Sequence, residues 1–320
     1  MSGARPVRWG FLGAGYVASR AMAPAVHTAN GAVLQVVGAR DPARAAVLEP
    51  ERTAASYEAV CTADDVDVVY VALPNDNHLP WVLSALGAGK HVLCEKPLGL
   101  DAGEVAAMVE EATHAGRLLV EAAWNRWHPR TRRAEALLAQ APGRRTVRAS
   151  FTFSGVPAGN YRLDPARGGG ALLDVGCYVV AASLSALGPG EVSVAGVERR
   201  LGPTGVDLTT SAVLSHPNGS AEVTASLERP EAQVLQVDAV GMSLEFLGEA
   251  FTTWREPCGL RVVDAGIERE ETFPACDAYA LMVEAVSARS SGQDAWVLPL
   301  STSAGVAATL DAITRAAGGD

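Results

Sequence analysis

The constraint that narrows the fold most lies at the start of the chain. The apolar run Val7-Arg8-Trp9-Gly10-Phe11-Leu12 leads into Gly13-Ala14-Gly15-Tyr16-Val17-Ala18, then an Ala-rich helical pattern to about residue 29, then a second apolar run at 33–38. Strand, glycine turn, helix and strand at this spacing predict a parallel βαβ unit. In such a unit Gly13 permits the tight turn and Gly15 lets the backbone approach a pyrophosphate. The small Ala18 stands where a third glycine often allows close helix packing. An ordinary glycine turn would show the same short pattern, but the flanking strands favour dinucleotide binding, with Gly13, Gly15, Tyr16 and Val17 as candidate cofactor contacts.

The alternation continues. Strands are expected at 66–73, 91–94 and 117–122, with helices at 79–87 and 101–115. Near-continuous apolar strands separated by helices imply a parallel sheet covered on both faces, with ligands at the carboxyl ends of the strands. At those ends stand Leu73-Pro74-Asn75 with His78, then Glu95-Lys96-Pro97, then Trp124-Asn125-Arg126. Where an NAD site usually carries an acidic residue after the second strand, this chain reads Ala39-Arg40-Asp41. Arg40 suits a 2′-phosphate and favours NADP(H); Asp41 keeps NAD(H) open, and Asp41-Pro42 also reads as a helix start.

The 320 residues suffice for two domains, and 48% hydrophobic against 19% charged residues argues for an ordered globular protein. A net charge of −10 disfavours a nucleic-acid or anionic-membrane surface. Cys61, Cys94, Cys177, Cys258 and Cys276 are scattered without zinc or dithiol spacing, so no metal is expected. No signal-peptide layout precedes the first strand and no apolar run is taken as long enough to span a bilayer. A cytoplasmic enzyme is the expectation.

Further on, Arg167-Gly168-Gly169-Gly170 precedes Ala171-Leu172-Leu173-Asp174-Val175-Gly176-Cys177-Tyr178, which reads as the opening of a buried helix over 171–187. Asp174 and Tyr178 are four apart and share a helix face. A buried carboxylate and phenol each need partners. They either satisfy one another structurally or project into space that the glycines open. Cys177 points elsewhere and reads as core. Beyond it, a strand at 146–154 and strand pairs flanking Asn218-Gly219 and Gly241-Met242 predict antiparallel hairpins.

The glycine turn, Leu73-Pro74-Asn75 with His78, and above all Glu95-Lys96-Pro97 resemble the glucose-fructose oxidoreductase/inositol dehydrogenase (Gfo/Idh/MocA) family. Tyr161-Arg162-Leu163-Asp164-Pro165 running into the Gly168–Tyr178 stretch resembles its branch of nucleotide-sugar 3-ketoreductases and dihydrodiol dehydrogenases. The resemblance implies an α/β fold: a Rossmann doubly wound parallel sheet over 1–123, then an α/β substrate and oligomerisation domain over 124–320 with a large, open, mostly antiparallel sheet. A homo-oligomer, dimer or tetramer, through that sheet is implied.

The family moves hydride between nicotinamide C4 and a hydroxyl- or carbonyl-bearing carbon. By resemblance Lys96 sits beside the reacting oxygen, Tyr178 is the acid/base, Asp174 holds Lys96 or a substrate hydroxyl, Glu95 orients the lysine, and Pro97 fixes its loop. Trp124 and Arg126 join the cofactor contacts and Arg162 the substrate contacts. His78 either braces the cofactor loop or takes part in acid/base chemistry. Arg126, Arg162 and Arg167 either grip a diphosphate or are solvated or salt-bridged. The reading is NADPH-dependent reduction of a keto-sugar, an NDP-3-keto-deoxysugar foremost. The alternatives are a trans-dihydrodiol dehydrogenase, a reductase of free sugars such as anhydrofructose, and a non-catalytic NADP(H) sensor.

Overall fold

The computed structural model describes residues 5–318. Two compact units are present: one runs to Gly99 and adds Gly103–Trp127 and Asp277–Ser303, and the other comprises Leu100–Ala102, His128–Cys276 and the chain from Ala304.

In the first unit β1 (Val7–Leu12), β2 (Ala32–Gly38), β3 (Arg52–Ala54), β4 (Val68–Val71), β5 (His91–Cys94) and β6 (Leu119–Glu121) form one parallel sheet in the order β3-β2-β1-β4-β5-β6. The order reverses direction between β1 and β4, the switch point at which an open α/β sheet leaves a crevice for ligand. Trp9, Phe11, Tyr70 and Leu93 are fully buried, as strands covered on both faces require. Strand β3 was not legible: Arg-Thr-Ala has no apolar pattern, and it sits at the sheet edge.

The structure draws the domain division differently from a single cut after residue 123. Residues 277–303 return to the first unit because the helix Ala278–Ser290 packs there. Trp124 stacks on Tyr279 at 4.6 Å, Trp9 Nε1 donates to Ser287 Oγ at 3.1 Å, and Asn30 Nδ2 donates to Glu284 Oε1 at 2.8 Å. Contacts this distant in sequence leave no local signal.

The second unit holds β7 (Arg145–Thr152), β8 (Ser193–Leu201), β9 (Asp207–His216), β10 (Gly219–Ser226), β11 (Ala232–Ala239), β12 (Met242–Leu247), β13 (Cys258–Asp264) and β14 (Ile267–Phe273). Their order is β14-β13-β12-β11-β7-β10-β9-β8, antiparallel except where β7 pairs with β10. Alternation is clean on β10, where Ala221, Val223 and Ala225 are buried and Glu222 is exposed. The buried face packs with Val175, Val179, Val180 and Leu187 into one core. The β9–β10 turn falls on Pro217-Asn218, one residue before the Asn-Gly pair expected to make it. Gly219 instead serves the sheet, because a Cβ there would collide with the Arg145 carbonyl oxygen of β7.

Pro165–Leu187, contrary to the sequence reading, holds an 18-residue window with a mean hydropathy of 1.7, long and apolar enough to cross a bilayer by length and composition; 72% of that window is buried inside the protein. Its apolarity belongs to the core it fills.

Asp67, just before β4, accepts the Arg8 backbone N–H at 3.0 Å, Arg8 Nη2 at 2.9 Å and Arg5 Nη1 at 2.9 Å. Burial works to raise its pKa, but the Arg8 and Arg5 hydrogen bonds outweigh that and hold it well below the usual carboxylate range. A depressed carboxylate stabilises the fold above its unfolded pKa of about 3.9 and ceases to do so as pH falls through the folded value. Asp67→Asn is expected to cost about 1–3 kcal/mol at pH 7. Urea unfolding should show the gap shrinking progressively below about pH 4; a gap as wide at pH 3 as at pH 7 would contradict this account.

Candidate active site

At the end of β1, Gly13 takes φ +98°, and a Cβ there would lie 2.7 Å from the Ala72 carbonyl oxygen. Its N–H donates to the Gly38 carbonyl at 2.8 Å. Gly15 differs: the nearest atom its Cβ would meet is the Ala72 oxygen at 4.0 Å. The protein itself leaves the space over Gly15 unfilled, which fits a pyrophosphate lying against the backbone. Tyr16 beside it is 74% exposed, Val17 is half-buried, and Ala18 is fully buried at the start of a π-helical turn, Ala18–Met22.

Beyond β2, the Asp41 carboxylate accepts the Ala43 N–H at 2.9 Å and caps the helix Pro42–Ala46. Arg40 is exposed, with no hydrogen bond or ion pair among the described residues. Arg44, which sequence reasoning missed, donates Nη2 to the Ala14 carbonyl at 2.9 Å and ties this helix to the glycine turn. The acidic group at the adenosine end is thus occupied in capping, while guanidinium groups remain. That combination fits a 2′-phosphate.

The loops after β4 and β5 are joined through His78. Its ring is fully buried, with Nδ1 2.9 Å from the Pro97 carbonyl oxygen and Nε2 2.9 Å from that of Leu73. A neutral imidazole donates to only one of them, and burial pushes its pKa down. His78 is therefore a brace between Leu73-Pro74-Asn75 and Glu95-Lys96-Pro97, in which the Lys96–Pro97 peptide is cis. Asn75 is buried, and Leu73 and Pro74 are half-buried. Tyr70 Oη donates to Glu95 Oε1 at 2.5 Å, anchoring the carboxylate to β4, and the Lys96 N–H reaches Glu95 Oε2 at 3.4 Å. Burial raises the pKa of both Glu95 and Tyr70.

Sequence reasoning also missed Glu121, the last residue of β6. It is only 6% exposed, and Oε1 accepts the Leu98 N–H at 3.1 Å. Burial raises its pKa, against the Ser303 side chain, the Leu98 N–H and, more weakly, the charges of Lys96 and Arg126. The signal was available: a carboxylate closing an apolar strand has to be satisfied indoors. Trp124 and Arg126 are buried in the first unit, Trp124 by its stack on Tyr279.

In the second unit Arg162 Nε donates to Asp174 Oδ2 at 2.6 Å, and its guanidinium lies over the Tyr161 ring at 4.9 Å. Burial works against the Arg162 charge, but Asp174, Tyr161 and Tyr178 together favour it, so its pKa rises. Asp174 and Tyr178 thus act on one guanidinium. They do so on a distorted segment: Leu172–Gly176 is a π-helical turn, and the α-helix begins only at Cys177 (Cys177–Leu187). The Tyr178 ring is half-buried, edge-on to Phe151 at 5.6 Å. Cys177 is core, as expected.

The glycines before this turn serve the chain itself. A Cβ on Gly169 would lie 2.6 Å from the Arg162 carbonyl oxygen, and one on Gly170 would collide with Asp207 Oδ1. Asp207, also missed, accepts the Leu172 N–H at 2.8 Å and the Thr210 hydroxyl at 2.7 Å. Among the described residues no group of three or more His, Cys, Asp or Glu is arranged to hold a metal ion.

Comparison with known proteins agrees with this architecture. The GFO_IDH_MocA model, described as an oxidoreductase family with an NAD-binding Rossmann fold, matches residues 7–122, and the GFO/IDH/MocA C-terminal domain matches 143–251. The chain is 35% identical to D-xylose 1-dehydrogenase (NADP(+)) 2 of Haloferax volcanii over 97% of each chain. It is 34% identical to dTDP-3,4-didehydro-2,6-dideoxy-alpha-D-glucose 3-reductase of Streptomyces antibioticus, over 69% of this chain and 70% of that one. Among solved structures, KijD10, a 3-ketoreductase from Actinomadura kijaniata in complex with NADP and TDP-benzene, superposes with a TM-score of 0.89 at 27% identity, covering 97% of this chain and 98% of that one.

The two kinds of glycine should separate on substitution. Gly15→Ala is expected to keep its melting temperature within about 2 °C while weakening NADPH binding at least about tenfold by fluorescence titration. Gly170→Ala, at φ +119° and against Asp207, should lose about 3 kcal/mol or more of stability. Equal melting temperatures for the two variants would refute the distinction.

Proposed function

Because the chain belongs to the GFO/IDH/MocA family, whose members are NAD(P)-dependent oxidoreductases acting on sugar alcohol and keto groups, we propose that it reduces a keto-sugar with NADPH and that Tyr178 is the proton donor. One observation carries the proposal: Arg162 is hydrogen-bonded to Asp174 and stands in the field of Tyr178, whose ring is held edge-on by Phe151. A phenol fixed by its ring and facing a cation can release a proton to a developing alkoxide, because the guanidinium compensates the charge left behind. Asp174 holds that guanidinium in place. Lys96 supplies a second positive charge to the reacting oxygen, on a loop braced by His78. When bound, NADPH supplies the hydride. Gly13, Gly15, Tyr16, Val17, Arg40 and the Leu73-Pro74-Asn75 turn are its proposed contacts, and the capping role of Asp41 beside an unpaired Arg40 supports NADP(H) over NAD(H).

For the substrate, the NDP-3-keto-deoxysugar reading draws on likeness to the dTDP-sugar 3-reductase and to KijD10. A second reading, a free aldose, has its own support. Identity to the D-xylose dehydrogenase extends over nearly the whole chain, and Arg162, a candidate diphosphate ligand, has its Nε committed to Asp174. The open face of the eight-stranded sheet, where Val213 and Val234 are exposed, is proposed as the contact of a homo-oligomer.

Tyr178→Phe and Lys96→Ala should each lower turnover by about 10²–10⁴ with NADPH binding largely intact; full activity in both would sink the mechanism. Arg40→Asp should weaken NADPH binding by at least about tenfold and shift preference toward NADH. A panel in which D-xylose and a trans-dihydrodiol are offered with NADP+ as hydride donors, and anhydrofructose and a dTDP-linked 3-keto-sugar with NADPH as hydride acceptors, followed by cofactor absorbance, assigns the substrate and direction. Micromolar NADPH binding without turnover on any of them would bring a sensor role forward.

A further inference from the structure

The chain contains two lysines, Lys90 and Lys96, in a sequence whose Lys and Arg together number 26. Lys90 has a plain structural use, its Nζ donating to the Ala63 and Val66 carbonyls at 2.6 and 3.0 Å. Lys96 follows the buried Glu95 in the chain and acts electrostatically on the buried Glu121. Glu95 is already held by the Tyr70 hydroxyl. Glu121 has another geometry: on β6 it lies opposite Cys94 of β5, so it leaves the sheet on the Cys94 face immediately before the Glu95-Lys96-Pro97 turn, and its carboxylate meets the Leu98 N–H beyond that turn.

We propose that Glu121 is a positioning residue for Lys96, spanning the lysine turn from beneath and holding the ammonium at the carboxyl end of β5. The inference rests on the proposed role of Lys96 in catalysis. A neutral Gln would accept the Leu98 N–H equally well, so that hydrogen bond alone does not require a carboxylate in a site 6% exposed. Burying an ion costs several kcal/mol unless it is paired. Against burial, the groups that favour the ionised form of Glu121 are the Ser303 side chain and the Leu98 N–H, then Lys96 and Arg126, while Lys96 acts in the same sense on Glu95. His78, across the same turn, contacts carbonyl oxygens on both sides and is biased toward neutrality by burial. A lysine loses much rotamer freedom when fixed, and a carboxylate opposite it selects the extended, pointed form.

Four variants test this: Glu121→Gln, Glu121→Asp, Lys96→Met and the Glu121→Gln/Lys96→Met double mutant, assayed with the substrate selected from D-xylose, anhydrofructose, trans-dihydrodiol and dTDP-3-keto-sugar. Glu121→Gln should lower kcat about 10–100-fold with KM and NADPH affinity within about threefold, and the double mutant should be no slower than Lys96→Met alone. Glu121→Asp, which keeps the charge at shorter reach, should retain a higher kcat than Glu121→Gln. A readout independent of turnover uses the cofactor-free protein. Acetic anhydride labelling of Lys96, read by peptide mass spectrometry against Lys90 as internal reference, should quicken at least about threefold in Glu121→Gln. Wild-type kcat in Glu121→Gln, equal losses in the Gln and Asp variants, multiplicative losses in the double mutant, or unchanged labelling would each overturn the proposal. If Lys96→Met turns over normally, the catalytic reading fails together with this one. If Lys96→Met is inactive while Glu121→Gln is normal, only this inference fails.

Discussion

Gly13 passes so near the Ala72 carbonyl that no side chain fits between them, and the carboxyl end of the parallel sheet is laid out from that contact. Where strands end, backbone groups lose their ladder partners and must find others. The Gly13 amide takes the Gly38 carbonyl, the Leu73 and Pro97 carbonyls face the two sides of His78, and the Leu98 amide takes Glu121. The turn after β1 is thereby tied to the end of β2, the turns after β4 and β5 to each other, and the turn after β5 to the end of β6, through contacts of 2.8–3.1 Å. The cofactor loop and the lysine loop inherit their positions from backbone bookkeeping, which is why a fully buried histidine stands among them.

The second unit meets the same demand with carboxylates. Asp207 satisfies the Leu172 amide where the π-turn begins, and Asp174, within that turn, takes Arg162. A π-turn carries one more residue per hydrogen-bonded ring than an α-turn, so it rotates the following helix relative to the preceding chain. The Tyr161–Leu163 turn closes onto Gly169 and Gly170, and its Arg162 carbonyl accepts the Gly170 N–H at 2.9 Å. Glycine here lets two stretches of one chain touch. Over Gly15, by contrast, it leaves room that no atom of the described residues fills closer than 4.0 Å to an added Cβ.

What could be read in the sequence were features that repeat or contrast locally. Apolar β1, β2, β4, β5 and β6 stand out against helices of amphipathic spacing, and alternation marks β9 and β10. Motif residues at strand ends were legible for the same reason, since Lys96 and Asn75 follow apolar runs directly. What escaped depends on partners distant in sequence. Helix Ala278–Ser290 belongs with the first unit through Tyr279, Ser287 and Glu284, whose partners lie some 155 to 280 residues earlier in the chain. The π-turn escaped because an Ala-Leu-Leu run favours any helical hydrogen-bond pattern alike. Glu121 and Asp207 were passed over as ordinary acidic residues, because burial is what gives each its role.

The state of Arg162 bears on the substrate more directly than its position in a motif does. A guanidinium grips a diphosphate best through two parallel N–H groups on one edge. In Arg162 the Nε–H points into Asp174 at 2.6 Å, and the plane is set by stacking over Tyr161 at 4.9 Å. Turning that edge to a phosphate would break the Arg162–Asp174 ion pair at a buried carboxylate. A sugar hydroxyl asks for less, since it can accept from a remaining Nη–H or donate to the carboxylate while the ion pair stays whole. The ion pair with Asp174 therefore commits the Nε side of Arg162 and leaves its Nη groups as the side from which a ligand oxygen is met.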